Sequence, residues 1–186
     1  DFDPVSAKAE GHQPASMDAE TAAFFSGGFE ESPLGKIPRG WETGSIEDVA
    51  QNIRRSIKPE NIPSETPYIG LEHMPRKSIA LSNWGFAENV TSNKFQFKGG
   101  EILFGKLRPY FHKVGVAILD GICSTDILVV APKKAYNFGL LLGHLSSVEF
   151  INYVNAGASG TKMPRTNWKV MAQFEIAIPP KELSIK

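Results

Sequence analysis

The chain has 186 residues, 41% of them hydrophobic and 22% charged, with a single cysteine. This is apolar material enough for one domain with an arm; it excludes a wholly disordered or fibrous chain and an internal disulfide framework, and no apolar run approaches the roughly 18 residues of a membrane span. The net charge is zero, yet residues 1–35 hold seven acids against one base, Lys8, which leaves 19 bases and 13 acids for the rest. Such asymmetry raises nucleic acid as a partner.

The opening, DFDPVSAKAEGHQP, is acidic and starts without Met, as expected of a piece of a longer chain. It has no apolar stretch of the secretory kind, so a cytoplasmic location is expected, with no membrane partner. Residues 1–40 read as an acidic, extended arm or linker and residues 41–186 as the folded body. Within the arm, Met17–Phe25 allows a short helix after Ser16. Gly27, Gly28, Pro33, Gly35, Pro38 and Gly40 then break any periodicity. Buried surface is scarce in such a segment, so residues 1–35 are expected to add little stability. Trp41 is expected to begin the folded body, as an anchor for the arm.

Ser45-Ile46-Glu47-Asp48 has the spacing of a capping box, with Asp in place of Glu, and predicts a helix to about Ile53. Short apolar or aromatic runs follow at Tyr68–Leu71, Ser78–Leu81, Lys94–Phe97, Glu101–Phe104, Val114–Ile118 and Ile127–Ala131. Their length and their β-branched and aromatic content predict strands. Leu-rich Phe138–Leu145 predicts a helix, and Ser146-Ser147-Val148-Glu149 caps another through Phe150, Ile151 and Val154. Gly157–Asn167 is a polar loop. Gln173–Ile178 reads as a last strand, stopped by Pro179-Pro180. The expected class is α+β: a curved, mostly antiparallel sheet with a few helices.

Signals for catalysis are thin. Gly100-Glu101-Ile102-Leu103-Phe104-Gly105-Lys106 matches part of a phosphate-binding loop, but Leu107 stands where Ser or Thr would hold magnesium, and Pro109 disfavours a following helix. A strand and a turn are expected there. The four histidines lack ligand spacing, and one cysteine cannot build a zinc site. No methyl-donor loop follows a strand. Glu72-His73 has acid–base potential without a visible nucleophile.

The basic residues are better placed. Lys106-Leu107-Arg108-Pro109-Tyr110-Phe111-His112-Lys113 interleaves cations with aromatics after a predicted strand. Arg76-Lys77 forms a second basic loop. Ser159, Thr161, Lys162, Arg165 and Asn167 form a third around Gly160. Loops of this kind supply charge for phosphates and donors for base edges. Lys106 and Lys162 suit phosphates, whereas the planar forks of Arg108 and Arg165 are able to grip guanine, unless they too clamp the backbone. Solvated loops without a partner, or a noncatalytic domain that binds an acidic protein, remain open on these residues alone. Helix-turn-helix and zinc-finger patterns are absent.

The body resembles a target recognition domain from the specificity subunit of a type I restriction–modification system. The resembling segments are Gly40–Val49, Tyr68–Pro75, Gly99–Val114, Asp120–Pro132, Gly160–Trp168 and Ile176–Pro180, in family order. The arm resembles the connector that precedes a second recognition domain, and Lys186 falls about where the family's final long helix begins. The resemblance implies double-stranded DNA as ligand, with one half of a bipartite target read here and long helices setting the spacing. It also implies methyltransferase (modification) subunits and a restriction subunit as partners. S-adenosylmethionine, ATP and Mg would belong to those subunits, with no cofactor and no catalytic residue on this chain. Lys106, Arg108, Tyr110, Thr161, Lys162, Arg165 and Asn167 lie in the matching motifs. Arg76, Lys77 and Ser159 join them as candidate DNA contacts from loop context.

Overall fold

The computed structural model describes residues 3–184. They fall into two compact units: one runs up to Asp48 and resumes at Glu175, and the other is Val49–Phe174. The N-terminal part of the first unit carries two helices and a hairpin. Helix α1 (Asp3–Ala9) is followed by α2 (Ala19–Ala23), whose Asp18 cap accepts the Thr21 N–H at 2.7 Å. Lys8, the one base of residues 1–35, donates its ammonium to the carbonyls of Ala22 and Phe25. Strands β1 (Phe29–Ser32) and β2 (Gly35–Pro38) then form a hairpin, closed where Gly35 takes a left-handed φ of 88°. Val5, Ala22 and Ile37 are buried.

Strand β3 (Glu42–Ser45) leads into α3 (Ile46–Val49). The capping signal is real: the Asp48 carboxylate accepts the Ser45 N–H at 2.7 Å and its hydroxyl at 2.9 Å. The helix nevertheless stops at Val49 instead of reaching Ile53. Ala50–Ile53 is strand β4, because pairing with a central strand outweighs local propensity.

In the second unit β4 is followed by β5 (Arg55–Ile57), β6 (Pro67–Ile69), β7 (Gly85–Phe86), β8 (Lys94–Phe97), β9 (Ile102–Gly105), β10 (Val114–Val116), β11 (Gly121–Cys123) and β12 (Ile127–Pro132). One sheet has the order β10-β9-β12-β4, antiparallel throughout. The other has the order β5-β8-β11-β6-β7, where only the β11–β6 pairing is parallel. The run Ser78–Leu81, expected as a strand, forms an isolated bridge, Ala80–Val116, in place of a strand. Lys77 turns left-handed just before it, with φ 54°, and Leu81 dives into the core.

Every residue of β9 and the first four of β12 are buried, because this sheet is covered on both faces. Register explains how. Gly115, Leu103, Val129 and Ile53 are cross-strand neighbours on one face. Leu103, Val129 and Ile53 join Ile69, Phe97 and Cys123 of the second sheet in one apolar cluster. Gly115 leaves the slot that Leu81 fills; a Cβ there would lie 2.4 Å from Leu81 Cγ. On the other face, Phe104 meets Phe150 edge-on at 5.7 Å. Phe150 belongs to α5 (Val148–Ala156), which follows α4 (Phe138–Leu145) and carries the expected Ser147 cap on the Phe150 N–H. His144 of α4 is a packing residue beside Phe174, and burial lowers its pKa. Helix α6 (Trp168–Ala172) closes the unit.

The chain then returns to the first unit as β13 (Glu175–Ile178), antiparallel to β3, before α7 (Lys181–Ser184).

Cys123 is fully buried in the cluster, and desolvation, with a smaller push from Glu101, raises its thiol pKa to about 12. The thiolate is the reactive form, so alkylation of the native chain should run at least about a hundredfold slower than in denaturant. Mass-spectrometric labelling of Cys123 with iodoacetamide checks this and reports opening of the second unit.

Candidate nucleic-acid interface

The basic loops, far apart in sequence, are tied together by main-chain hydrogen bonds. After β9 the Lys106 N–H donates to Asp126 O at 2.9 Å, and Lys106 O accepts the Thr166 N–H at 3.0 Å. Leu107 bridges Arg165, and the Arg108 N–H donates to Pro164 O at 2.7 Å. The third loop is itself a small hairpin: Ser159 and Arg165 exchange both bonds, at 3.0 and 2.9 Å, and Gly160 takes a φ of 96° in between. The second loop joins at His112, whose carbonyl accepts the Lys77 N–H at 2.9 Å.

Three residues here hold left-handed backbones without being glycine: Lys77 at φ 54°, Arg108 at 51° and His112 at 53°. Arg108 and His112 bracket the tight turn Pro109–Phe111. Such conformations persist only where surroundings enforce them. Here the cross-loop bonds do so, and His112 Nε2 also meets Ser146 O at 2.8 Å.

Phe111 is the floor of the face. The Arg76 guanidinium lies 4.0 Å from its ring centroid and that of Arg108 lies 5.9 Å away. Both cations are attracted to the ring's π electrons, so one aromatic side chain gathers two positive charges. Lys113 registers the same crowding: its pKa falls, first through burial and then through Arg76, against an opposing pull from Glu72. Its ammonium donates to Leu71 O. Leu71, Glu72, Leu107, Arg108, Phe111, Lys113 and Met163 line a cleft of about 180 Å³ beside this floor.

Among the sequence candidates, Arg76, Lys77, Tyr110, Thr161, Lys162 and Arg165 are exposed, while Lys106 and Arg108 are half-buried. Tyr110 stacks edge-on against Phe111 at 4.8 Å. Ser159 contributes its backbone to the hairpin. Arg165 is held by Asp126, Nε to Oδ1 at 3.1 Å. Asn167 serves the fold instead, since its Oδ1 caps α6 by accepting the Val170 N–H at 3.1 Å. Asn167→Ala should therefore destabilise the chain by about 1 kcal/mol, measured by denaturant unfolding, whatever it does to a ligand.

Phe111 and Asp126 escape a reading of the basic residues alone. The aromatic ring following Tyr110 in a cation-rich run is the available signal for the first; nothing in the sequence points to the second. Glu72-His73, considered as an acid–base pair, is tied up locally, with His73 Nδ1 accepting the Gly70 N–H at 2.9 Å. Among the described residues no group of three or more His, Cys, Asp or Glu is placed to hold a metal ion, and no helix is long and apolar enough to cross a membrane.

Three basic loops are thus joined by backbone bonds beside doubly buried strands, with Phe111 among them. The chain belongs to the family described as the type I restriction modification DNA specificity domain, whose model matches residues 38–183. It is 26% identical over 175 residues to the type I restriction enzyme EcoDI specificity subunit of Escherichia coli, a match that spans 93% of this chain and 38% of the relative. The fold is similar to the HsdS subunit of Thermoanaerobacter tengcongensis, with a TM-score of 0.68, 21% identity, and coverage of 82% of this chain and 41% of that one. A chain from a study of complex assembly and conformational transition in the type I R-M system aligns with a TM-score of 0.62, 21% identity, and coverage of 78% and 39%. The chain thus spans about two fifths of the length of the relatives it matches.

Proposed function

We propose that this domain reads one half of a bipartite duplex DNA target for a type I restriction–modification complex. The observation that carries the reading is the joining of three basic loops into one face by main-chain bonds, with Arg76 and Arg108 gathered over Phe111. Membership of a DNA specificity family supports it. Within this face Arg76, Lys77, Lys106, Arg108 and Lys162 supply charge for phosphates. Thr161 and Tyr110 supply hydroxyl donors at the rim.

The domain specifies and does not catalyse. Methyl transfer, with S-adenosylmethionine, falls to modification subunits, and ATP- and Mg-dependent cleavage to a restriction subunit; the other half-site falls to a second recognition domain. A binding selection on randomised duplex DNA with this chain tests the central claim. Enrichment of one short motif, with affinity falling steeply as salt rises, is expected. Equal recovery of all sequences would reduce the face to a nonspecific polyanion site, and no recovery at any salt would refute DNA binding.

A further inference from the structure

Building on that reading, we propose that Asp126 is a positioning residue that presents Arg165 as a reader of a guanine edge, setting it apart from the phosphate-binding arginines. Among the described residues Arg165 is the arginine of this face with a carboxylate partner, and the two residues are joined twice. Their side chains meet at 3.1 Å through Nε. Their backbones meet through Lys106, whose N–H donates to Asp126 O at 2.9 Å and whose carbonyl accepts from Thr166, next to Arg165, at 3.0 Å. Both ends of the pair are further pinned, Arg165 by its two bonds to Ser159 and Asp126 by its N–H on Ser124 Oγ at 3.2 Å.

The chemistry follows from which donor is used. A carboxylate at Nε leaves the terminal amino groups of the guanidinium, and their fixed geometry, for another acceptor pair. Guanine offers such a pair in O6 and N7. The Arg165 side chain is 48% exposed and that of Asp126 29%, so the fork is reachable while its partner is partly shielded. The pair is close to neutral, which makes it a poor phosphate clamp. Its value lies in direction, which discriminates bases, whereas charge alone does not. Arg76 and Arg108, resting on Phe111, have the opposite character.

The test uses the 186-residue chain, the duplex enriched from the randomised library and its single-base-pair variants, read at several salt concentrations. Asp126→Asn should lower discrimination at one G·C pair about tenfold or more, yet strengthen binding to unrelated duplex and steepen the salt slope by about one unit, because an uncompensated arginine now reaches phosphates. Arg165→Lys, which keeps the charge and loses the fork, should lower the same discrimination while leaving the slope unchanged. A purely structural role predicts instead a lower unfolding midpoint with uniform weakening across all duplexes, and that result would overturn the proposal. Unchanged discrimination in Arg165→Lys overturns it as well, even if Asp126→Asn fails to fold. Failure of the unaltered chain to enrich any sequence would overturn the half-site reading and this inference together; enrichment with indifferent variants would overturn this inference alone.

Discussion

The double variant Arg76→Ala/Arg108→Ala should bind its duplex roughly a hundredfold more weakly at moderate salt, with the salt slope reduced by about two units. Both guanidiniums lie over Phe111, within 4.0 and 5.9 Å of its centroid. Each is a cation, so deleting it removes a phosphate neutraliser. On the proposed reading these side chains set position and strength, so the loss should be uniform, with cognate and single-base-changed duplexes weakening alike. Phe111→Ala provides the comparison. It leaves both charges in place and takes away their platform, so affinity should drop with little change in slope. Fluorescence anisotropy across a salt series separates the two effects. A sequence-dependent loss in the double variant would instead make Arg76 or Arg108 a base reader.

Phe104→Ala should cost about 3–5 kcal/mol of unfolding free energy, enough to abolish a large part of a typical domain's stability. Phe104 is fully buried in β9 and faces the aromatic set of Phe150 and Phe174, whose rings lie 5.1 Å apart. Truncation leaves a cavity between a sheet and a helix that are both held by other contacts, so collapse is restricted. Denaturant unfolding followed by tryptophan fluorescence measures it. Tyr110→Ala, at a position 49% exposed, should change stability by less than about 0.5 kcal/mol in the same experiment.

Much of the fold is legible where local chemistry decides it. Lys94–Phe97 and Phe138–Leu145 form as the strand and helix their patterns predict, and Ser147 caps its helix as its spacing requires. Legibility fails where partners decide. Ala50–Ile53 reads as a helical continuation until β12 offers it an edge, and Gly121–Cys123, too short to carry a pattern, is a strand because β6 and β8 flank it. In residues 1–40 the glycines and prolines mark the ends of α2 and the β1–β2 hairpin, whose pairing again rests on partners. At the candidate interface the cations are visible one loop at a time. Their meeting is not, because it rests on backbone bonds between residues such as Arg108 and Pro164, and backbone groups are identical along the chain. Asn167 shows the converse, since a polar residue in a basic loop has several possible uses and capping claims this one.

That main-chain joinery also bears on how such a domain changes over generations. The rungs that join residues 106–108 to 164–166 require only amide and carbonyl groups, which nearly any residue provides. An exposed side chain on those rungs, such as that of Arg165, can therefore be exchanged without unfastening the loops. On the proposed reading, new sequence preferences would arise by replacing a letter on a fixed line of type, and the press that holds it, the doubly buried strands β9 and β12, need not be rebuilt.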